Sequence, residues 1–196
     1  DAKKTGNLAK QMKPLIDLEI ITRNNPINKL GDNKKSGFEI NDNLLRFYFT
    51  FLYKNASALQ MLGAEAFYNE YIAPVLTEFI SRRFEGICRD YFSLQVRAGK
   101  RRGVRNIGSY YYDDPVHRKN GEFDVVLEYA DGYEIYEAKY YAQPMTLDEI
   151  HREVQQVEAI RELKVKQLGF IAINGFAEEE GPYTYLNGKD IYAEES

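Results

Sequence analysis

Apolar positions change their period along this chain. Leu76, Ile80, Phe84, Ile87 and Tyr91 step by three and four, the spacing of one face of a helix. Pro74 can occupy the first position of that helix, which is expected to run to about Phe92. The pattern then becomes strand-like in three runs: 107–112 (IGSYYY), 122–129 (EFDVVLEY) and 133–140 (YEIYEAKY). Ala130-Asp131-Gly132 separates the last two and signals a hairpin. Thr146 followed by Glu149 is a capping box and predicts a helix over roughly 147–163. Residues 168–173 (LGFIAI) are an unbroken apolar run, as in a strand buried on both faces. The order helix, strand, strand, strand, helix, strand is best buried as an α/β mixed sheet flanked by helices.

Upstream, residues 8–22 read as a helix running into a short strand. A polar stretch with Pro26, Gly31 and Gly37 as breakers follows, and Phe38-Glu39-Ile40 resumes an extended segment. This is the order of the back half of a winged helix, and equally that of a plain appended hairpin. Residues 42–53 (DNLLRFYFTFLY) are expected to form a buried helix capped by Asp42, and 64–72 a short helix. The predicted divisions are 1–41, a partial winged helix; 42–73, a helical connector; and 74–196, the main domain.

Composition narrows the function classes. An apolar share of 44% supports a core, and the net charge of −4 argues against nucleic-acid binding by the whole surface. Residues 82–105 depart from that balance, with eight Arg and Lys against Glu85 and Asp90. The single cysteine, Cys88, cannot make an intrachain disulfide or a cysteine zinc site. A reducing, cytoplasmic setting is expected. Neither a signal peptide nor a membrane span is expected, because no apolar stretch is long enough. His117 and His151 have no second ligand at metal-site spacing and are expected at the surface. The acidic tail (Glu178, Glu179, Glu180, Glu194, Glu195) is expected to be solvated.

The chemistry is concentrated in the predicted hairpin. Side chains alternate along a strand, so Glu122 shares a face with Asp124, and Glu137 with Lys139. Adjacent strands would bring Asp124, Glu137 and Lys139 together at one end of the sheet. Two carboxylates with waters suit Mg²⁺ or Mn²⁺, which polarises a phosphoryl oxygen and acidifies a bound water. A lysine beside them can orient that water or offset charge in the transition state. The pattern acidic-x-Lys occurs four times here, but only Glu137-Ala138-Lys139 lies in a predicted strand that follows another strand with its own Asp. A solvated cross-strand charge cluster is the competing reading of the same residues.

From Phe84-Glu85 through Glu137-Ala138-Lys139 to Gln155-Gln156, the chain resembles the PD-(D/E)xK nuclease superfamily. More narrowly, it is similar to the C-terminal domain that follows the ATPase domain in archaeal and bacterial AAA-type ATPases. The segments GFEINDNLLRFYFTFLY, FEGICRDYF, IGSYYYDD, GEFDVVLE and YEIYEAKYY carry that similarity. The resemblance implies a restriction-endonuclease-like core with an N-terminal partial winged helix. It implies Mg²⁺- or Mn²⁺-dependent hydrolysis of DNA, or else an inactive DNA- or protein-binding module that regulates an attached ATPase. Asp124 and Glu137 would hold the metal and Lys139 would be the catalytic lysine. Glu85 would be the helix glutamate of the site, unless it is a surface residue paired with Arg82 or Arg89. Gln155 or Gln156 would be the polar residue of the following helix, unless both face solvent. Phe123, rather than a proline, precedes Asp124. Arg97, Lys100, Arg101, Arg102 and Arg105, placed beside the metal, would hold the DNA backbone. Tyr110, Tyr111 and Tyr112 could stack on bases, though a core role is preferred. The chain has no G-x-x-x-x-G-K-[ST] loop, so the ATPase domain expected in cis would lie outside it.

Overall fold

The computed structural model describes residues 2–114 and 119–193, with side chains from residue 10 onward except those of 114 and 119. His117, Glu194 and Glu195 lie outside the described residues. The chain divides into two units, residues 1–25 with 31–76, and residues 26–30 with 77–196.

The first unit contains α1 (Ala2–Asp17), β1 (Ile21–Asn24), β2 (Gly37–Ile40), α2 (Asn43–Phe47), α3 (Ala56–Phe67) and the first residues of α4 (Ala73–Arg97). β1 and β2 pair antiparallel, from Ile21 opposite Ile40 to Asn24 opposite Gly37. The Asp42 carboxylate caps α2 by accepting from the Leu45 N–H at 2.7 Å. The backbone then widens over Tyr48–Leu52 and tightens at Tyr53–Asn55, so 42–53 is not one regular helix. Nor is it buried throughout. Phe51 is buried, whereas Leu44 is 75% and Tyr53 61% exposed. Apolar residues on every side of a helical segment cannot all face one small core. Gly63, at φ +75°, breaks α3 in a conformation that side chains disfavour.

The second unit carries a five-stranded sheet in the order β3 (Asn106–Asp114), β4 (Lys119–Glu128), β5 (Tyr133–Lys139), β6 (Val165–Ala172), β7 (Thr184–Asn187). β3, β4 and β5 pair antiparallel, while β5, β6 and β7 are parallel. A parallel neighbour requires a crossover, and α5 (Leu147–Glu158) supplies it between β5 and β6. On one face, Phe84, Cys88 and Phe92 of α4 pack with Val125, Leu127, Tyr136, Ala138 and Ile171. On the other, Ile150, Val154 and Val157 of α5 pack with Phe123, Val126, Ile135 and Phe170. The fold is therefore a mixed α/β sheet with helices on both faces. Burial from both sides accounts for the unbroken apolar run of β6.

Several features differ from the sequence expectation, and α4 runs on to Arg97 rather than to about Phe92. The helix after β5 ends at Glu158 rather than near 163. Glu178, Glu179 and Glu180 are exposed as expected, but the segment after them is structured. Thr184–Asn187 pairs beside β6, and a capping box of Asn187 and Asp190 opens α6 (Gly188–Tyr192), whose Ile191 is buried. Four residues carry too little pattern to reveal such a strand. Finally, Pro26–Leu30, expected within the 1–41 segment, belongs to the second unit. Ile27 is buried in the α5-side core, and Asn28 closes on the edge strand β3, donating to the Tyr111 carbonyl at 2.7 Å and accepting from its N–H at 3.0 Å. An apolar residue in a polar loop gains by burial, and the asparagine satisfies an edge backbone that would otherwise stand unpaired.

β6 passes close under the Tyr136 ring, where Gly169 pairs with Tyr136. A β-carbon at 169 would lie 2.5 Å from that ring and 2.9 Å from the Thr184 carbonyl oxygen. Gly169→Ala is therefore expected to cost about 1–3 kcal/mol of stability, measured by urea denaturation against wild type.

Candidate active site

The site forms where β4 and β5 part. Their ladder runs from Glu128 opposite Tyr133 to Val125 opposite Tyr136. On the other side of β4, Gly108 pairs with Val126 and Tyr110 with Phe123, so the one residue between them on β3 (Ser109) faces two on β4, a bulge at Asp124–Val125. A bulge turns the strand and re-aims its side chains. Consistent with this, Phe123 packs in the α5-side core and Val125 in the α4-side core, although strict alternation would put them on one face. The Asp124 carbonyl accepts from Arg89 Nη1 of α4 at 2.7 Å. The Asp124 carboxylate faces the Ala138 backbone N–H, which favours its charged form.

Glu137 and Lys139 alternate with Tyr136 and Ala138, whose side chains fill the α4-side core, and so they leave β5 toward α5. Lys139 Nζ lies 2.5 Å from Glu137 Oε1 and 3.3 Å from Glu153 Oε1 of α5. Glu85, half-buried on α4, approaches from the other face. The carboxylates thus do not share one face of a flat sheet, as alternation alone implied. They converge on the opening from both sides of it.

The electrostatics show that convergence. Burial pushes the Asp124 carboxyl up, and the Glu85 charge pushes it further, against Lys139 and Arg89. Burial also raises Glu137, reinforced by Asp124 and opposed by Lys139. Glu85 is raised by burial, pulled down by Arg89, and raised by Glu137. Burial alone would lower Lys139, but Glu137 and Glu153 outweigh it and keep the ammonium charged. The centre is short of positive charge.

Hard carboxylate oxygens drawn partly or wholly out of water fit Mg²⁺ or Mn²⁺, and Asp124 and Glu137 are the residues that would hold it. Among the described residues, no three His, Cys, Asp or Glu side chains are grouped closely enough to chelate an ion. An ion bound here would keep several waters, as Mg²⁺ commonly does.

The other candidates separate. Gln155 is exposed, while Gln156 lines a cleft beside Lys139. Arg82 pairs with Glu78 at 2.6 Å rather than with Glu85. His151 is exposed, 4.0 Å from Glu180. Cys88 is fully buried, its thiol pushed up to about 12 by desolvation. Tyr112 is buried and stacks on Phe123 at 4.6 Å, a core role. The basic turn does not lie beside the opening. Arg105 N–H bonds to the Glu128 carbonyl, at the end of the sheet where Tyr133 begins β5. Glu137 is four residues further along that strand, roughly 13 Å at ~3.3 Å per residue. Arg101 is committed to an ion pair with Glu134 and lies over the Phe92 ring at 4.7 Å, whereas Arg97, Lys100, Arg102 and Arg105 are exposed. Sequence reasoning missed Glu153, and it named Arg89 only as a possible surface partner of Glu85. Arg89 follows Glu85 by four residues on one helix face, which was the available signal.

Fold and centre together define a mixed α/β domain with a buried glutamate, a half-buried aspartate and a lysine at a strand opening. Residues 48–157, more than half of the chain, match the family model DUF234, archaeal and bacterial proteins of unknown function, and the chain belongs to that family. A curated relative, the uncharacterized protein MJECL04 of Methanocaldococcus jannaschii, is 33% identical over 86 residues, 41% of this chain. The chain spans only 19% of that protein's length. A crystal structure of a protein of unknown function, AF1548, superposes with a TM-score of 0.34 at 14% identity, covering 47% of this chain and 50% of that one.

The acidic pair makes a signed prediction. Asp124 and Glu137 are raised in the folded state, so folding takes up protons, and stability increases as pH falls from neutral toward the ordinary carboxylate range of ~4. Asp124→Asn removes one of the two charges. Without metal at neutral pH the variant is expected to match or exceed wild type in stability, by on the order of 1 kcal/mol, and to show a flatter dependence on pH. Urea denaturation in EDTA across that pH range checks it, and a variant clearly less stable at neutral pH would contradict the repulsion.

Proposed function

We propose that this centre hydrolyses phosphodiester bonds in DNA with a divalent cation, on a restriction-endonuclease-like core. The observation that carries the reading is the pairing, at one strand opening, of a buried Glu137 and a half-buried Asp124, both raised by loss of water, with Lys139, 2.5 Å from Glu137. Asp124 and Glu137 would hold Mg²⁺ or Mn²⁺, and the bound cation would supply an acidified water. Glu85 would take part from α4. Lys139 cannot be a ligand while protonated. Its place beside the pair suits it to offset charge that develops on the phosphate.

A second reading has one observation in its favour. Lys139 is held between two carboxylates, and no three acidic groups are gathered for chelation among the described residues. On that reading the domain binds DNA or protein and regulates an attached ATPase, without hydrolysis of its own.

Lys139→Ala is expected to lower Mn²⁺-dependent cleavage of labelled DNA by on the order of 10²-fold or more, with little change in Mn²⁺ affinity by calorimetry. Asp124→Asn should weaken the ion itself. Wild-type protein that binds DNA but never cleaves it would favour the regulatory reading, and cleavage that survives Lys139→Ala would put the activity elsewhere.

A basic face at the far end of the sheet would add affinity for DNA without sequence preference. Replacing Arg97, Lys100, Arg102 and Arg105 together by Ala, and leaving the structural Arg101 intact, is expected to weaken DNA binding uniformly across sequences and to reduce its salt dependence. Anisotropy titrations at several salt concentrations measure both, and an unchanged salt slope would remove this face from the interface.

A further inference from the structure

We infer that the cleft between the end of β5 and α5 binds one nucleotide of a single DNA strand, with its phosphate on Arg152 and Gln156 and its base against Tyr141. The inference takes DNA as the ligand from the proposed function and does not depend on hydrolysis. The cleft measures about 290 Å³ and is lined by Lys139, Tyr141, Glu149, Arg152, Glu153 and Gln156. Residues 149, 152, 153 and 156 recur at helical spacing on one face of α5. Lys139 is the shared wall, since its ammonium also contacts Glu137 in the acidic centre.

The lining is balanced in formal charge but not in available groups. The Glu149 carboxylate is committed to the start of α5, where it accepts from the Thr146 N–H and hydroxyl, both at 2.8 Å. Glu153 is committed to Lys139. Arg152 donates only its Nε, to the Asp148 carbonyl at 3.2 Å, and its terminal nitrogens have no protein partner among the described residues. The Gln156 amide likewise has none, and it is half-buried in the cleft wall. The Tyr141 ring is 42% exposed, and the backbone beneath it is fixed where Asn174 Nδ2 donates to its carbonyl at 2.6 Å.

What remains on offer is a planar guanidinium, an amide and an aromatic face. Guanidinium groups match phosphate geometry, and aromatic faces stack on bases regardless of sequence. The volume lies at the lower end of the ~300–1,000 Å³ typical of ligand pockets, which suits one nucleotide and not a base pair. A strand held there would pass Lys139 and enter the acidic centre. The cleft thus predicts preference for single-stranded or frayed DNA over duplex.

The test uses the intact chain in EDTA, with fluorescently labelled oligo-dT and a duplex of equal length. Wild type should bind the single strand more tightly. Tyr141→Leu should weaken that binding about fivefold or more, Tyr141→Phe should retain it, and Arg152→Ala should weaken it several-fold while Arg152→Lys restores part. Thermal melts establish that each variant folds. Duplex bound as tightly as single strand, or unchanged affinity in both Tyr141→Leu and Arg152→Ala, overturns the inference. Cleavage assays with Mn²⁺ run in parallel separate the two claims. Absence of cleavage with binding that still tracks Tyr141 and Arg152 removes the nuclease reading and leaves the strand site. Cleavage that is indifferent to both residues and to strandedness does the reverse.

Discussion

Two carboxylates set into the opening of an apolar sheet are costly, and much of the surrounding structure answers that cost. Removing Asp124 and Glu137 from water disfavours their charges, the Glu85 charge raises Asp124 further, and the Asp124 charge raises Glu137 further. Partial compensation comes from three directions: Lys139 on the same strand as Glu137, Arg89 from α4, and the Ala138 N–H at the edge of the ladder. None neutralises the pair. On the reading proposed above, Mg²⁺ or Mn²⁺ would answer that imbalance, held by Asp124 and Glu137.

The sheet supports this arrangement because β5 is anchored on both sides. Its upstream half is buried by α4 on one face and α5 on the other, and it pairs antiparallel with β4 and parallel with β6. The bulge in β4 then lets one residue leave the ladder without unravelling the strand, because Val125 and Val126 on its far side remain in the two cores. Arg89 satisfies the carbonyl that this departure frees. The opening is thus a local feature on a rigid frame, which a positioned carboxylate requires.

The basic residues of 97–105 divide by role. Arg101 is drawn inward to Glu134 and the Phe92 ring, where it ties the turn after α4 to β5. Its neighbours stay exposed at that end of the sheet, more than a nucleotide's length from the acidic centre. Nucleic acid engaging both regions would lie along the sheet rather than only over the opening. On the inference above, the cleft on the α5 side would add a third contact with different chemistry, the terminal nitrogens of Arg152 and an aromatic face next to Lys139.

The sequence by itself determined the element order from α4 to β6, the Asp131-Gly132 hairpin, the Thr146–Glu149 cap and the placement of Asp124 and Glu137 on neighbouring strands. These depend on local periodicity and turn chemistry, which a chain expresses over a few residues. Tertiary structure decided what such periods do not encode. The β4 bulge turned a same-face expectation into a convergence across the opening. Arg89 and Glu153 joined the centre from helices whose facing sides are set only by packing. β7 was too short to announce itself, and Ile27 left its polar loop for the core of the second unit. Arg101 was indistinguishable in sequence from the arginines around it until Glu134, 33 residues away, drew it inward. A charge's local neighbours can be read along the chain, but whether it is buried, and beside what, depends on contacts between residues far apart in sequence.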